Sequence, residues 1–408
     1  MKVLGIICEY NPFHNGHLYH INMAKKLTGC DYVVCVMSGN FMQRGEPSLL
    51  NKWSRTKMAL NNGVDVVIEL PLPFSIASAP YFAMGGIKIL DSLNMVSDFC
   101  FGAETPDVDT LKKLANIIAE EPCDYKIFLK DYLNLGYSYP KARELALIKY
   151  LDDSKVSTIM ACPNNILGME YLKALSLFKS NINTTILKRT NDYNSKGLFG
   201  SIVSSSGIRA CFNDSNFDTN SLVNFMPESC VSLLLEDISL GIAPIFFKNF
   251  DDILISKLRC MSKEEISKIN YVSEGFENRI KTFSDKCCDI SNLVTSLHTK
   301  RFTDTRVRRI LLNALFGITK NKFDEIGLPP YIRILGVNHN GKKLLPHIVS
   351  NASLPVLINS SDCLNLKDKT ARQLFDLECL ATNLYVLSYK NPNYKQSNLD
   401  LTHPLIIV

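Results

Sequence analysis

The first part of the chain alternates short apolar runs with segments whose apolar residues recur at helical spacing. The apolar runs predict buried strands over residues 3–8, 31–37, 65–70, 98–102 and 183–189. Helical spacing separates them over residues 16–27, 54–62 and 83–93. Because strands and helices alternate, the pattern predicts an α/β fold class with a doubly wound parallel sheet that helices cover on both faces.

The remainder of the chain is predicted to be mainly helical. Residues 107–151 have helical periodicity and predict an insertion that lies over the sheet. Helical segments dominate again beyond residue 214, whereas residues 331–337 and 354–359 predict short strands or irregular structure. Because 408 residues exceed one ordinary core, we predict two domains: residues 1–218 with the sheet and the insertion, and a mainly α-helical domain over 219–408.

Composition narrows the class of protein. Hydrophobic residues make up 46% and charged residues 21% of the chain, which is typical of globular proteins and excludes a disordered one. Prolines interrupt the longest uncharged stretch, residues 70–87, and residues 3–8 are too short for the apolar segment of a signal peptide. The thirteen cysteines form no Cys-x-x-Cys pair, which favours reduced thiols over disulfides or zinc. We therefore expect a cytoplasmic protein that has no membrane partner.

The strongest local signal is the sequence Glu9-Tyr-Asn-Pro-Phe-His14-Asn-Gly16-His17, where the first strand hands over to a helix. A helix N-terminus offers N–H groups and a partial positive charge to a phosphate, and Gly16 lets the backbone approach it. Two imidazoles three residues apart can stabilise negative charge at an α-phosphorus under attack. The loop therefore predicts binding of the ATP phosphates. The alternative is that His14 and His17 are surface or capping residues.

A second candidate site follows far downstream, at Ser204-Ser205-Ser206-Gly207-Ile208-Arg209. Hydroxyl groups, N–H groups and a guanidinium at a helix start can hold the β- and γ-phosphates of ATP. The alternative is an ordinary serine cap followed by a solvent-facing arginine. Together the two elements resemble the HIGH-superfamily nucleotidyltransferases, whose fold is a Rossmann variant that class I aminoacyl-tRNA synthetases share.

Longer strings make the resemblance narrower. They are Met37-Ser-Gly-Asn-Phe-Met-Gln43-Arg44-Gly-Glu46-Pro47, Lys52-Trp53, Arg55-Thr-Lys57, Pro163-Asn164-Asn165-Ile-Leu-Gly168 and Lys300-Arg301-Phe302-Thr303. With the histidine loop, they resemble the bacterial tRNA(Met) cytidine acetate ligases. This resemblance implies that ATP activates acetate as acetyl-adenylate. The acetyl group then passes to the exocyclic N4 amine of the wobble cytidine of elongator tRNA(Met), and AMP and pyrophosphate leave.

The resemblance also implies the site residues. Catalysis would rest on His14 and His17, with Arg209 on the leaving pyrophosphate. ATP would be bound by Ile7, Cys8, Glu9, Tyr10, Asn11, Pro12, Phe13, His14, Asn15, Gly16, His17, Leu18, Tyr19, His20, Gly102, Asn164 and Arg189. Outside the family, Gly102 would be a plain turn glycine, Asn164 a helix cap and Arg189 a solvated charge at a strand end. We expect Mg²⁺ to accompany ATP, but no carboxylate cluster in the sequence assigns its ligands, and we expect no other metal.

A basic segment in the helical half is the candidate RNA contact. The segment holds the five cations Lys300, Arg301, Arg306, Arg308 and Arg309, and the sequence offers only Asp304 nearby to balance them. Of these, Lys300, Arg301, Arg306 and Arg309 are the candidates to bind the phosphate backbone of tRNA rather than DNA. The alternative is a solvated charged face. The polar loop with Gln43, Arg44 and Glu46 leaves a similar choice open, because Arg44 can meet the acetate carboxylate, a tRNA phosphate or only water.

Two rival functions share parts of this pattern. A small-molecule nucleotidyltransferase, which would join ATP to a phosphate-bearing metabolite, has the same histidine loop but no need for the long helical half. A nucleotide-sensing RNA-binding protein without turnover would need no intact His-Asn-Gly-His element. The sequence leaves open the oligomeric state, the choice among tRNAs, the tolerance for other short acids and the group that deprotonates the cytidine amine.

Overall fold

The structure is a computed structural model that describes residues 1–189, 203–214 and 217–408. Within these ranges the strands form one eight-stranded sheet. They are β1 (Val3–Cys8), β2 (Tyr32–Ser38), β3 (Val66–Leu70), β4 (Asp98–Ala103), β5 (Asn183–Lys188), β6 (Ile332–Val337), β7 (Val356–Leu357) and β8 (Ile406–Ile407).

The helices fall into two groups along the chain. The first group is α1 (Asn15–Thr28), α2 (Lys52–Asn61), α3 (Leu72–Ser75), α4 (Ala79–Ser92), α5 (Val108–Glu120), α6 (Cys123–Asn134), α7 (Tyr139–Leu151), α8 (Lys155–Met160), α9 (Pro163–Leu177) and α10 (Ser205–Cys211). The second group is α11 (Glu228–Ser239), α12 (Asp251–Cys260), α13 (Lys263–Ser267), α14 (Phe276–Lys286), α15 (Ile290–Leu297), α16 (Asp304–Phe316), α17 (Lys320–Ile326), α18 (His339–Asn351), α19 (Lys369–Leu387) and α20 (Leu399–Thr402). Short 3₁₀ turns occur at Thr219–Asn224, Phe247–Phe250, Ser360–Asn365 and Pro392–Tyr394.

The strand order is β5-β4-β1-β2-β3-β6-β7, and β8 also pairs with β6. The five strands from β5 to β3 are parallel, which confirms the predicted doubly wound parallel sheet. Successive residues of β2 belong alternately to two hydrophobic clusters, since Val34 and Val36 pack in one and Val33 and Cys35 in the other. Helices therefore cover both faces of the sheet, which is why these strands are continuous apolar runs in the sequence.

The predicted division at residue 218 is not a boundary of the sheet. Strands β6, β7 and β8 come from the mainly helical part, and β6 pairs with β3 in the antiparallel direction. A buried ion cluster also crosses the division: Lys52 contacts Glu69 at 2.8 Å and Asp400 at 2.5 Å, and Arg333 contacts both carboxylates. Strands β6 and β7 lie within residues 331–337 and 354–359, where short strands or irregular structure were predicted, whereas β8 is only two residues long and was not predicted. The two-domain division stays a prediction.

The predicted insertion at residues 107–151 is helical and continues through α9. Helix α5 packs against α9, and α9 packs against both α4 and β4, so these helices lie over one face of the sheet. Among the helices of the described ranges, none has the length and apolar character that crossing a membrane requires.

Candidate active site

A cavity of about 300 Å³ opens at the carboxyl ends of β1, β4 and β5. Strand β1 lies between β4 and β2. The order in which the chain adds strands to the sheet therefore reverses beside β1, and such a switch point is where open α/β sheets bind ligands. The lining includes the following predicted residues: Ile7, Cys8, Glu9, Tyr10, Asn11, His14, Gly16, His17, Tyr19, His20, Gly102, Asn164, Arg189 and Arg209. The fold therefore gathers one site from residues that are up to about two hundred positions apart.

Four predicted residues support the loop from behind. Pro12, Phe13, Asn15 and Leu18 are not among the described residues that line the cavity. Phe13 is fully buried, and its ring centre lies 4.8 Å from that of Tyr10. The Asn15 backbone N–H donates to the carbonyl of Phe225 at 2.9 Å. These residues fix the path of the loop.

His14 and His17 cap helix α1 and line the cavity at the same time. The Gly16 N–H donates to His14 Nδ1 at 3.0 Å, and the His14 N–H donates to His17 Nδ1 at 3.3 Å. The capping interpretation is therefore confirmed, and phosphate binding by these two residues, which also line the cavity, stays a prediction. Because each Nδ1 accepts a hydrogen bond, the proton of each neutral ring lies on Nε2.

Burial keeps the imidazole rings of His14 and His17, and that of the neighbouring His20, in the neutral form. Burial, with the nearby Arg189 charge, lowers the pKa of His14 to about 3 and that of His20 to about 4. Burial and the neighbouring His14 place the pKa of His17 well below its usual range. The rings of His14 and His17 stack with centres 3.7 Å apart, which neutral rings allow and two cations would oppose. The pair thus offers two Nε2–H donors that need no loss or gain of a proton.

The first N–H groups of α1 differ from the prediction. Gly16 donates to His14 Nδ1, and the N–H groups of His17 and Leu18 donate to the His14 carbonyl at 2.8 and 3.2 Å. These amides already have acceptors within the chain, because the histidine cap satisfies them. What α1 offers a phosphate is therefore its partial positive charge and the imidazole donors.

The serine-rich turn lies directly across the histidine loop. Ser204 caps α10 by accepting from the Gly207 N–H at 3.1 Å, and the Ser205 hydroxyl donates to the Pro12 carbonyl at 3.3 Å. The Arg209 side chain is only 18% exposed and donates to the Asn11 carbonyl at 3.0 Å. The serine cap was the expected alternative and is present, but the solvent-facing arginine is wrong, because Arg209 lines the cavity.

Gly102, Asn164 and Arg189 line a further part of the cavity, where Arg189 is close enough for its charge to lower the histidine pKa values. A Cβ atom on Gly102 would lie 3.1 Å from Arg189 Cγ, so the glycine leaves room for the arginine to cross the end of β4. The Asn164 amide nitrogen donates to Glu104 at 2.6 Å. Asn165 is fully buried and accepts from the Thr105 N–H at 2.9 Å, so only Asn164 of this pair lines the cavity.

The polar loop after β2 forms another wall. Gln43 and Arg44 line the cavity, and the Gln43 N–H donates to Glu9 Oε1 at 2.7 Å. Burial raises the pKa of Glu9, while that hydrogen bond and the nearby arginines oppose the shift. Glu46 pairs with Arg209 at 3.1 Å, so this loop and the serine-rich turn meet.

The basic segment does not form one surface. Lys300 and Arg301 are exposed, and Arg301 pairs with Glu274 at 2.5 Å. The Arg306 guanidinium lies 4.1 Å from the centre of the Phe302 ring and donates to the Tyr271 carbonyl at 3.1 Å. The expectation that Asp304 is the only nearby acid is wrong, because folding brings Glu274 close to the segment.

Arg308 and Arg309 turn from the basic segment toward the active site. Arg309 Nε donates to the Gln43 carbonyl at 2.7 Å, and Arg308 forms an ion pair with Glu46. Burial lowers the pKa of Arg309, and the guanidinium stays protonated at neutral pH. The alternative of a solvated face therefore fails for these two arginines. RNA contact by Lys300, Arg301, Arg306 and Arg309 stays a prediction.

Two features of the site were not among the predicted site residues: an apolar wall, and Arg55, which entered only as part of a string that resembles the family. Phe82, Phe101 and Tyr171 form an apolar wall of the cavity, and their only signal was membership of buried helices and strands. Arg55 is fully buried and donates from Nη1 to the carbonyls of Glu9 at 2.7 Å and Ser38 at 3.0 Å. Arg55 thereby ties the ends of β1 and β2 together beneath the site. Burial lowers its pKa to about 10, so it remains charged at neutral pH.

Comparisons with known proteins agree with this geometry. The family model described as HIGH Nucleotidyl Transferase matches residues 1–400. The chain is 48% identical to the tRNA(Met) cytidine acetate ligase of Acetivibrio thermocellus and 41% identical to that of Thermoanaerobacter pseudethanolicus, with all of each chain covered. Two crystal structures of Thermotoga maritima TmcAL also match over their full lengths. The apo form has a TM-score of 0.96 at 33% identity, and the form bound with alpha-thio ATP has 0.92 at 35% identity.

Proposed function

The chain belongs to the HIGH nucleotidyl transferase family and, within it, to the tRNA(Met) cytidine acetate ligases; from this premise we propose how its site carries out the reaction. It is an ATP-dependent ligase that activates acetate as acetyl-adenylate and acetylates the N4 amine of the wobble cytidine of elongator tRNA(Met). The observation that carries the proposal is the cavity at the switch point, whose lining brings the neutral histidine pair together with Arg209, Gly102, Asn164 and Arg189.

In the first step, a carboxylate oxygen of acetate attacks the α-phosphorus of ATP, and pyrophosphate leaves with the electron pair of the broken P–O bond. The Nε2–H groups of His14 and His17 stabilise the charge that grows on the phosphoryl oxygens. Both rings are neutral, so they act as hydrogen-bond donors and not as acids. Arg209 balances the charge of the leaving pyrophosphate. The step needs positioning and charge stabilisation, and it needs no proton transfer.

Acetate is placed between the histidine loop and the apolar wall. A short carboxylate requires one cationic side and one apolar side. Arg44 supplies the charge, and the rings of Phe82 and Phe101 accept the methyl group. Gly102 and Asn164, across the cavity, hold the adenosine. This arrangement presents the carboxylate to the α-phosphorus.

Mg²⁺ would accompany ATP and would neutralise part of the charge of its phosphates. Within the described residues there is no group of three or more His, Cys, Asp or Glu side chains that could hold a metal ion. We therefore assign no residue of these ranges as a ligand of Mg²⁺.

In the second step, the N4 amine of the cytidine attacks the acetyl carbon, the bond from that carbon to the AMP oxygen breaks, and the amine loses a proton. AMP leaves. Lys300 and Arg301 are the exposed cations best suited to the tRNA backbone. Phosphate contacts at this segment would orient the anticodon arm toward the cavity.

The decisive experiment incubates the protein with ATP, labelled acetate and total bacterial tRNA. We expect label in tRNA(Met) alone, at an alkali-labile position on cytidine. In the absence of tRNA, pyrophosphate exchange into ATP should depend on acetate. Exchange that proceeds without acetate but requires a phosphate-bearing metabolite would contradict acid activation and favour metabolite adenylylation.

A further inference from the structure

The loop Met42–Glu46, hereafter the clamp loop, lies between the ATP cavity and helix α16. Its turn is closed by two backbone bonds, from the Met42 N–H to the Glu46 carbonyl at 2.8 Å and from the Gly45 N–H to the Met42 carbonyl at 2.9 Å. Gly45 has a φ of +75°, and a Cβ atom there would lie 2.7 Å from both Arg308 Cβ and the Arg309 nitrogen. The clamp loop therefore rests directly on the backbone of α16.

Glu46, at the end of the clamp loop, is shared between two arginines. Its Oε2 accepts from Arg209 Nη2 at 3.1 Å, and its Oε1 pairs with Arg308 Nη1. Within the described residues, Arg209 also donates to the Asn11 carbonyl at 3.0 Å. The three charges sum to one positive charge, so the cluster still attracts the phosphates of ATP. Each carboxylate oxygen thus fixes one guanidinium.

We propose that Glu46 is a positioning residue that connects α16 to the ATP site. It holds the Arg209 guanidinium toward the pyrophosphate end of ATP, and Arg308 holds Glu46. An arginine side chain has several rotatable bonds, so orienting it before the ligand arrives removes much of the entropy loss on binding. This inference rests on the proposed function for the placement of pyrophosphate at Arg209.

The clamp loop does not need the Glu46 side chain to keep its shape. Gln43 is fixed by its N–H bond to Glu9 at 2.7 Å and by its carbonyl bond from Arg309 at 2.7 Å. Phe41 and Pro47 form a bridge at the base of the loop. A Glu46→Ala variant therefore removes the link between the two arginines and leaves the loop's backbone bonds in place.

Arg308 is the surface end of this connection. Its side chain is 35% exposed, against 18% for Arg209, and it lies on the helix that follows the exposed cations Lys300 and Arg301. An anion or a helix movement that withdraws Arg308 would free Glu46 Oε1, and the carboxylate would then rotate on Arg209. The Glu46 carboxylate therefore couples the ATP site to α16, beside the separate contact of Arg309 with the Gln43 carbonyl.

The test measures calorimetric affinities for ATP and for AMP, because only ATP reaches Arg209 through its β- and γ-phosphates. We expect Glu46→Ala and Arg209→Ala each to weaken ATP binding by about tenfold and AMP binding by less than about twofold. The double variant should bind ATP no more weakly than Arg209→Ala alone. Arg308→Ala should weaken ATP binding by about threefold, and this loss should vanish in the Glu46→Ala background.

The matched control is Glu274→Ala, which removes another glutamate–arginine pair near α16, with Arg301, and neither of these two residues lines the cavity. It should leave both affinities and the unfolding temperature within error of the starting protein. Additive losses in the double variants, or equal losses for ATP and AMP, would overturn the positioning role. If the unaltered protein shows no acetate-dependent exchange, the proposed function fails, while the ATP and AMP affinities still decide the role of Glu46.

Discussion

The histidine loop and the basic segment at residues 300–309 are both short, and both carry groups that can bind anions. They differ in how far along the chain the partners of their side chains lie. In the loop, the Nδ1 atoms of His14 and His17 bond to backbone N–H groups within three residues. In the basic segment, the partners of Arg301 and Arg308 are Glu274 and Glu46, the second of them 262 positions away along the chain.

A local sequence pattern therefore predicts the contacts of the histidine loop better than those of the basic segment. A turn that is capped by its own side chains depends only on residues close in the sequence, so its shape follows from the local sequence. The direction of a long arginine side chain depends on which carboxylates and carbonyl groups folding brings close to it. The same ten residues therefore hold exposed cations at one end and active-site supports at the other.

The largest expected effect tests the loop. His17→Ala removes an Nε2–H donor from the charge that develops at the α-phosphorus, and we expect acetate-dependent pyrophosphate release to fall by about 100-fold or more. Steady-state release of pyrophosphate without tRNA measures this. His17→Asn is the matched control: its side-chain oxygen can still accept the His14 N–H, so its unfolding temperature should exceed that of His17→Ala while its activity stays equally low. Activity within about threefold of the starting protein in both variants would remove His17 from the chemistry.

An intermediate effect tests the basic segment. Reversing charge in Lys300→Glu/Arg301→Glu should weaken tRNA binding by about tenfold and make its salt dependence shallower by about one unit of slope for each lost phosphate contact. Filter binding over a series of salt concentrations measures both. Arg309→Ala should instead lower tRNA-free pyrophosphate exchange, because Arg309 supports the Gln43 carbonyl. Equal effects of both variants on tRNA binding would mean that the segment acts as one surface after all.

The smallest expected effect concerns pH. Burial lowers the pKa of His14 to about 3, so the ring is neutral in the folded protein throughout the range from about pH 5.5 to 8. The factor by which His14→Gln weakens ATP binding should therefore be the same at both ends of this range. With an ordinary pKa the ring would gain a proton below about pH 6.5 and bind phosphate more tightly, so the factor would grow on acidification. Calorimetric titrations of both proteins at the two pH values distinguish these outcomes.

The sequence by itself determined the parts of this protein that depend on near neighbours. The five parallel strands, the cap at Ser204, helix α16 and the histidine turn could all be predicted, because periodicity and capping are properties of a few consecutive residues. The reaction was predicted from the longer strings that resemble the family, because no local pattern identifies it.

Only the tertiary structure decided which distant groups meet. It brought β6 from the helical half onto β3, gave His14 and His17 their neutral form through burial, and placed Phe82 and Phe101 in the cavity. It also divided the basic segment and joined Glu46 to Arg209 and Arg308. Burial and long-range pairing depend on how whole elements pack, and the order of residues along one element does not contain that information.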